Sequence, residues 1–281
     1  MSDAPKLPSL SMKPNRILRG LVPLSLTSLL LSICAQEVNI PDPILKAAIL
    51  AQLSRSPDGG PLTAQELLSL TTLDASGSGV MSLDGLEGAR NLTSLNLDNN
   101  QLTNLTLPAT VTNLITLNLN FNQLTNLTLP SGMTKLATLG LAYNRLIDAS
   151  FVKDLSGLSW LVLIGNQLTN LPWLAGLTNL TSLSLADNQL TSVALPVGSS
   201  NLNWLDLAQN QFTSLTLPAE FTNLGLLDLH DNQLTNLTLP PVLTKLTTLD
   251  PFSNPQHSRV QTMISLTTCP WTSVSRKSRP A

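Results

Sequence analysis

The sequence is short of charge. Lys, Arg, Asp and Glu make up 11% of its 281 residues while 42% are hydrophobic, so Asn, Gln, Ser and Thr must solvate the surface. Such a composition still has enough apolar surface to fold. Cysteine is scarce as well: Cys34 and Cys269 lie in unlike regions, and no disulfide framework follows from them. Histidine occurs only as His230 and His257. Neither a phosphate loop, a metal-ligand spacing nor a nucleophile elbow accompanies them, so neither catalysis nor a cofactor is expected. Basic residues are few where the chain is most regular. Residues 91–254 hold four of them (Lys135, Arg145, Lys153, Lys245) against nine acidic ones, a net of −5, which disfavours a phosphate backbone and sets nucleic acid aside as a partner. No apolar run is long enough for a transmembrane anchor: Leu21 to Ile33 has 13 residues, only about 20 Å as a helix against roughly 30 Å of hydrocarbon.

What the chain has instead is one unit of 22 residues that recurs without change of length. Unit starts fall at Leu92, Leu114, Leu136, Leu158, Leu180, Leu202, Leu224 and Leu246, and an asparagine stands eight residues after each, from Asn100 and Asn122 to Asn254. A fixed period of this size means a solenoid. In Ser94-Leu95-Asn96-Leu97-Asp98, strand alternation sends the leucines to one face and the polar residues to the other. Coils stacked in register then form a parallel sheet, with Leu92, Leu102, Leu105 and Leu107 closing the same core from other sides. The asparagine sits where the chain leaves the strand; its amide both donates and accepts, so stacked copies can satisfy successive turns, which aspartate could not. Counting back from Leu92 gives a degenerate ninth coil, Leu70, Leu73, Ala75 and Val80, with Ser78 in the asparagine place. Past the asparagine, threonines and Pro108 argue against helix. A thin convex side of extended or short 3₁₀ segments is expected, with short helical turns at 146–151 and 168–174.

The pattern L-x-x-L-x-L-x-x-N-x-L resembles that of leucine-rich repeats. The expected fold is therefore a leucine-rich-repeat solenoid of the α/β horseshoe class, mainly parallel β with few short helices, a right-handed curved superhelix behind a helical amino-terminal cap. The cap is read over 36–69 and the repeats over 70–254. Asp42 is a good N-cap ahead of Pro43, Ile44, Leu45, Ala48, Ile49 and Leu53 form an apolar stripe, and Thr63 to Glu66 reads as a capping box opening a second helix. From Val38 to Leu92, with Ile40-Pro41-Asp42-Pro43 and Leu83-Asp84-Gly85-Leu86-Glu87-Gly88, the chain resembles the start of bacterial internalin-like leucine-rich-repeat proteins. That resemblance implies export, a rigid curved scaffold and recognition through the concave sheet.

Residues 1–35 read as an export signal: Arg16 and Arg19 precede the apolar run and Ala35 permits cleavage before Gln36. Met12-Lys13-Pro14-Asn15-Arg16 makes the more usual beginning, so translation is expected to start at Met12. Leu31-Ser32-Ile33-Cys34 also resembles a lipobox, the lesser alternative, which would put a lipid anchor on Cys34; bulky Ile33 counts against it. Either way the location is secreted or cell envelope. At the other end Pro251 replaces a strand leucine, so the sheet should stop there. Residues 255–281 lose all periodicity. A truncated or frame-shifted reading, a partner over the bare end, and an irregular cap using Val260, Met263, Ile264 and Trp271 are the alternatives.

Function is sought in the outward residues, read down the stack. Most coils offer small polar groups there. The exceptions cluster: Phe121, Tyr143, Trp160, Val162, Ile164 and Trp204 form an apolar and aromatic centre, and Asp187, Asp206, Asp228, His230 and Asp231 an acidic flank. Such clusters mark interaction sites, with Trp and Tyr as anchors; the alternative is drift among repeats. Trp160 and Trp204, two coils apart in one column, should lie roughly 9–10 Å from each other with a gap over Ser182. The function expected is a non-catalytic recognition scaffold for a protein partner. The alternatives are a glycan or peptidoglycan ligand, for which tryptophan faces also serve, and the recognition part of an enzyme whose catalytic domain lies beyond residue 281.

Overall fold

Residues 36–58 and 60–254 are described by a computed structural model of the chain; residues 1–35, read above as an export signal, and the tail from 255 fall outside the described residues. Nine strands, Thr72–Asp74, Ser94–Asn96, Thr116–Asn118, Thr138–Gly140, Trp160–Val162, Ser182–Ser184, Trp204–Asp206, Leu226–Asp228 and Thr248–Asp250, pair in chain order into one sheet. Each pairing is parallel and shifted by one 22-residue unit, as in Leu73↔Leu95, Leu161↔Leu183 and Leu227↔Leu249. The chain is thus a parallel-strand β-solenoid with few helices, the class its leucine spacing predicts. Each three-residue strand buries its central leucine, and the following leucine of each coil, such as Leu97, Leu141 and Leu207, is buried too. Phe212 and Phe221 take apolar places of the same kind in the coil that starts at Leu202 and are fully buried. The described sheet ends at Asp250, just before buried Pro251.

Opposite the sheet, the units starting at Leu92 and Leu114 and those starting at Leu202 and Leu224 use short parallel ladders, Asn104–Thr106 with Asn126–Thr128 and Ser214–Thr216 with Asn236–Thr238. Between them stand the 3₁₀ turns Ser150–Val152 and Pro172–Gly176, in the two units where short turns are expected from sequence. Threonine and proline keep this side from closing into longer helices.

The asparagines form the expected ladder. Asn166 Nδ2 donates to the carbonyls of Leu141, Leu163 and Ile164 at 2.9, 3.1 and 3.3 Å, and its Oδ1 accepts from Leu146 N at 3.0 Å. The same pattern recurs at Asn122, Asn144, Asn188, Asn210, Asn232 and Asn254, all buried. Ser78 does not join it: its exposed hydroxyl donates to Ser76 O, and Asn100 Oδ1 reaches back to Gly79 N and Val80 N. A serine side chain is too short for three carbonyls; Asn100 serves this first coil as every later ladder asparagine serves the coil before it, with Gly79 N as an added donor.

The cap is built from helices α1, Pro43–Gln52, and α2, Ala64–Ser69. Asp42 caps α1 by accepting from Ile44 N and Leu45 N through Oδ1, and its Oδ2 accepts from Met81 N and Ser82 N. One carboxylate thus ties the cap to the first coil. Burial opposes its charge, yet these four amides hold the carboxyl below its ordinary value. Leu45, Ile49 and Leu50 face inward. Ile44, expected on that stripe, is exposed at the rim, its tip beside Gly79.

Candidate binding face

Period-two alternation leaves the first and third residue of each strand on the outer face of the sheet, and the 22-residue register stacks them into columns. Trp160, Ser182 and Trp204 are register partners in one column, and Val162, Ser184, Asp206, Asp228 and Asp250 in the next. The tryptophans are closer than strand spacing alone predicts. Their ring centroids lie 6.0 Å apart at 62°, an edge-to-face pair, so the expected gap is closed. Strand spacing fixes where the Cα atoms stand, but the rings follow their side-chain rotamers. Small Ser182 leaves room between them, and leaning together gains an aromatic contact in place of a void. Ser182 is 6% exposed and its Oγ has no hydrogen-bond partner. Trp160 remains 46% exposed.

Phe121 and Tyr143 come from a different geometry. The residue before each ladder asparagine is left-handed in every unit, and these two hold φ of 51° and 54° where the other units place Asn99, Gly165, Asp187, Gln209, Asp231 and Ser253. For bulky side chains that backbone is strained by about 1–2 kcal/mol. Neither ring is buried in exchange: Phe121 is 51% and Tyr143 47% exposed, and they stack at 4.8 Å and 18°. Tyr143 in turn lies over Gly165, where a Cβ would come within 2.5 Å of its ring. Val162 and Ile164 are half-buried beside these rings' strands, and Ile164 O accepts from Tyr143 N at 2.6 Å. The six apolar candidates therefore resolve into two aromatic pairs with Val162 and Ile164 as their aliphatic neighbours.

Four of the five acidic-flank candidates also come together. Asp206 Oδ2 accepts from Ser184 Oγ at 2.8 Å and its Oδ1 from Ala208 N at 3.1 Å. Burial pushes the Asp206 carboxyl up, as does the charge of Asp228, against these hydrogen bonds and the charge of His230. His230 Nδ1 lies 2.7 Å from Asp228 Oδ1, and its Nε2 4.0 Å from Asp231 Oδ2. Burial works against the charged imidazole, but the Asp228 hydrogen bond and the charges of Asp228, Asp231 and Asp250 outweigh it and raise His230 above its ordinary value. Asp187 is exposed at its own left-handed turn. Among the described residues no lysine or arginine pairs with these carboxylates.

Sequence reasoning put Asp250 and Ser182 in the outward columns without counting them in the site, and passed over Gly165. Asp250 stands in register with Asp228, and one ligand atom each from Asp228, His230 and Asp250 lie within 4.8 Å of one another. These are the residues that could hold a cation, although all three are only half-buried and His230 Nδ1 is already engaged with Asp228. The column spacing that places Asp250 beside Asp228 was signal enough to include it in the acidic flank. Gly165 and the enclosed hydroxyl of Ser182 carry no such signal, because what matters about each is where a neighbouring ring lies.

A family model described as Leucine Rich Repeat matches residues 91–111 and 201–224. No curated protein matches the chain in sequence. Among solved structures, the functional domain of InlJ from Listeria monocytogenes is 27% identical with a TM-score of 0.65, over 79% of this chain and 53% of that one; the chain spans about half the length of that domain. Internalin C2 from Listeria monocytogenes is 28% identical with a TM-score of 0.55, over 78% of this chain and 88% of that one. A leucine-rich-repeat protein from Leptospira interrogans is 28% identical with a TM-score of 0.57, over 75% and 62% of the two chains. No helix among the described residues is long and apolar enough to cross a membrane.

Proposed function

We propose that the chain, which is similar to bacterial internalins and other leucine-rich-repeat proteins, is an exported, non-catalytic recognition scaffold that engages a protein partner through the concave face of its sheet. The observation that supports this most is the pair Phe121 and Tyr143. Both are held at positive φ, both stay about half exposed, and the other units place Asn, Asp, Gln, Ser or Gly there. Strain kept at a position that buries little is found at binding and catalytic sites, and nothing in the core needs these rings. With Trp160 and Trp204 they give four aromatic side chains over neighbouring coils, flanked by Asp206, Asp228, His230 and Asp231. An aromatic centre with a charged rim is the anatomy of a protein interface. The acidic rim favours a basic, apolar partner segment over an acidic one.

Site-specific crosslinking tests the reading. A photoreactive phenylalanine analogue at Tyr143 should crosslink the partner, whereas the same group at Ile147 or Val197, exposed on the far side of the asparagine turns, should not. Equal yields at all three positions would overturn it.

A further inference from the structure

We infer that the Trp160–Trp204 pair is a cover over a subsite for a guanidinium group, so that the partner presents an arginine to this face. The inference rests on the reading of the sheet's outer face as the binding surface.

It starts from Ser182. Strand alternation points this side chain outward, between Trp160 and Trp204 in the register of the sheet. It is nonetheless 6% exposed, and its Oγ is enclosed beneath the indoles without a hydrogen-bond partner. Packing gives no reason for a hydroxyl there, since alanine would fill the place without stranding a polar atom, and a stranded buried hydroxyl destabilises the fold that keeps it. The same column carries Ser94, Thr116 and Thr138 in other coils, and none of those is buried. Swinging either indole to another rotamer would expose the hydroxyl to an incoming donor.

The neighbouring column says which donor. Two residues along, Ser184 Oγ holds the Asp206 carboxylate at 2.8 Å, and Asp206, Asp228 and Asp250 are in register on adjacent strands. Among the described residues their one cationic partner is His230, which lies on Asp228. The field at the open side of the indoles is therefore negative and attracts a cation. Burial that pushes the Asp206 carboxyl up would be offset by a bound positive charge. A guanidinium meets all three demands at once: it is planar and stacks on an indole face, it stays charged, and its forked donors can serve two acceptors. Ser182 Oγ and Asp206 are those acceptors. An ammonium lacks the plane, and a sugar lacks the charge.

The test uses the full chain and three capped pentapeptides, Gly-Leu-X-Leu-Gly, in which X is arginine, lysine or citrulline, with methyl N-acetylglucosaminide as a sugar probe. Tryptophan fluorescence and the indole N–H resonances report on the pair. The arginine peptide should bind about tenfold more tightly than the citrulline peptide, and more tightly than the lysine peptide, through charge and stacking together. Ser182→Ala should weaken the arginine peptide about fivefold while raising the urea midpoint of the free protein, opposite changes that a merely structural serine would not produce. Equal affinities for arginine and citrulline, or Ser182→Ala without effect on affinity, would overturn the subsite. So would a sugar probe that saturates the indole signal where the arginine peptide does not. If the peptides fail while crosslinking at Tyr143 still finds a partner, the guanidinium subsite falls and the binding face stands. If both fail, the reading of the face falls with it.

Discussion

Replacing Asn166 with alanine isolates what one rung of the asparagine ladder contributes. The carbonyls it serves each keep a second donor: Leu141 O retains Asn144 Nδ2 at 3.1 Å, Leu163 O retains Asn188 Nδ2 at 2.9 Å, and Ile164 O retains Tyr143 N at 2.6 Å. The amide of Leu146 has no such reserve, because its bond to Asn166 Oδ1 at 3.0 Å is the one the fold gives it. Asn166→Ala therefore strands one buried N–H and removes donors from three carbonyls that remain satisfied, a loss of about 1–3 kcal/mol. Asn104→Ala is the control. Asn104 is exposed on the opposite side, its side chain accepting only from Thr125 Oγ1 at 3.2 Å, and its loss should stay within about 0.5 kcal/mol. Urea melts read both, provided the slope is unchanged between variants so that a shifted midpoint reports stability. Equal losses for the two variants would refute the assignment of the ladder as the element that closes the turns.

Gly165→Ala should lower stability by about 1–2 kcal/mol, since φ is +65° and the new Cβ would meet the Tyr143 ring; near-UV circular dichroism should show the tyrosine displaced, and an unchanged spectrum and midpoint would mean that the ring does not lie there. The raised His230 implies a definite pH dependence. Its stabilisation is fully present below the unfolded value of 6.5 and is lost as pH rises through the higher folded value. The gap in urea midpoint between the wild type and His230→Asn should thus be wider near about pH 5 than near about pH 8, and the reverse order would contradict the Asp228 pairing. Export predicts a mature amino terminus at Gln36, or a lipidated Cys34 on the alternative, read by mass spectrometry of the native protein. An intact leader on a cytoplasmic chain would rule out both.

The core was legible because it obeys one period. Leu73, Leu161 and Leu249 are found in the sheet where counting by 22 puts them, and Asn100 to Asn254 bond as their position demands. The N-caps at Asp42 and Thr63 were equally plain, since a cap is a local event. The second grip of Asp42 was not, because Met81 and Ser82 lie 39 and 40 residues away in sequence. On the outer face, column membership could be read but ring positions could not. A β-strand fixes the Cα of Trp160 and Trp204, while their separation depends on rotamers that respond to the small size of Ser182. The left-handed turn at Phe121 and Tyr143 was hidden for a similar reason. Asn, Asp and Gly at that place in other units hint at positive φ, but the two aromatic side chains in the column argue against it.

The measurement that bears most directly on recognition by this face is the affinity of the captured partner for the wild-type chain and for the double variant Trp160→Ser/Trp204→Ser. Serine and threonine already stand at that outward place in Ser94–Asn96, Thr116–Asn118 and Ser182–Ser184, so the fold should persist, which the urea midpoint and the far-ultraviolet circular dichroism would verify. Each lost anchor should weaken binding by about 2 kcal/mol or more, at least thirtyfold. A double variant that stays folded and binds its partner with unchanged affinity would contradict the central claim.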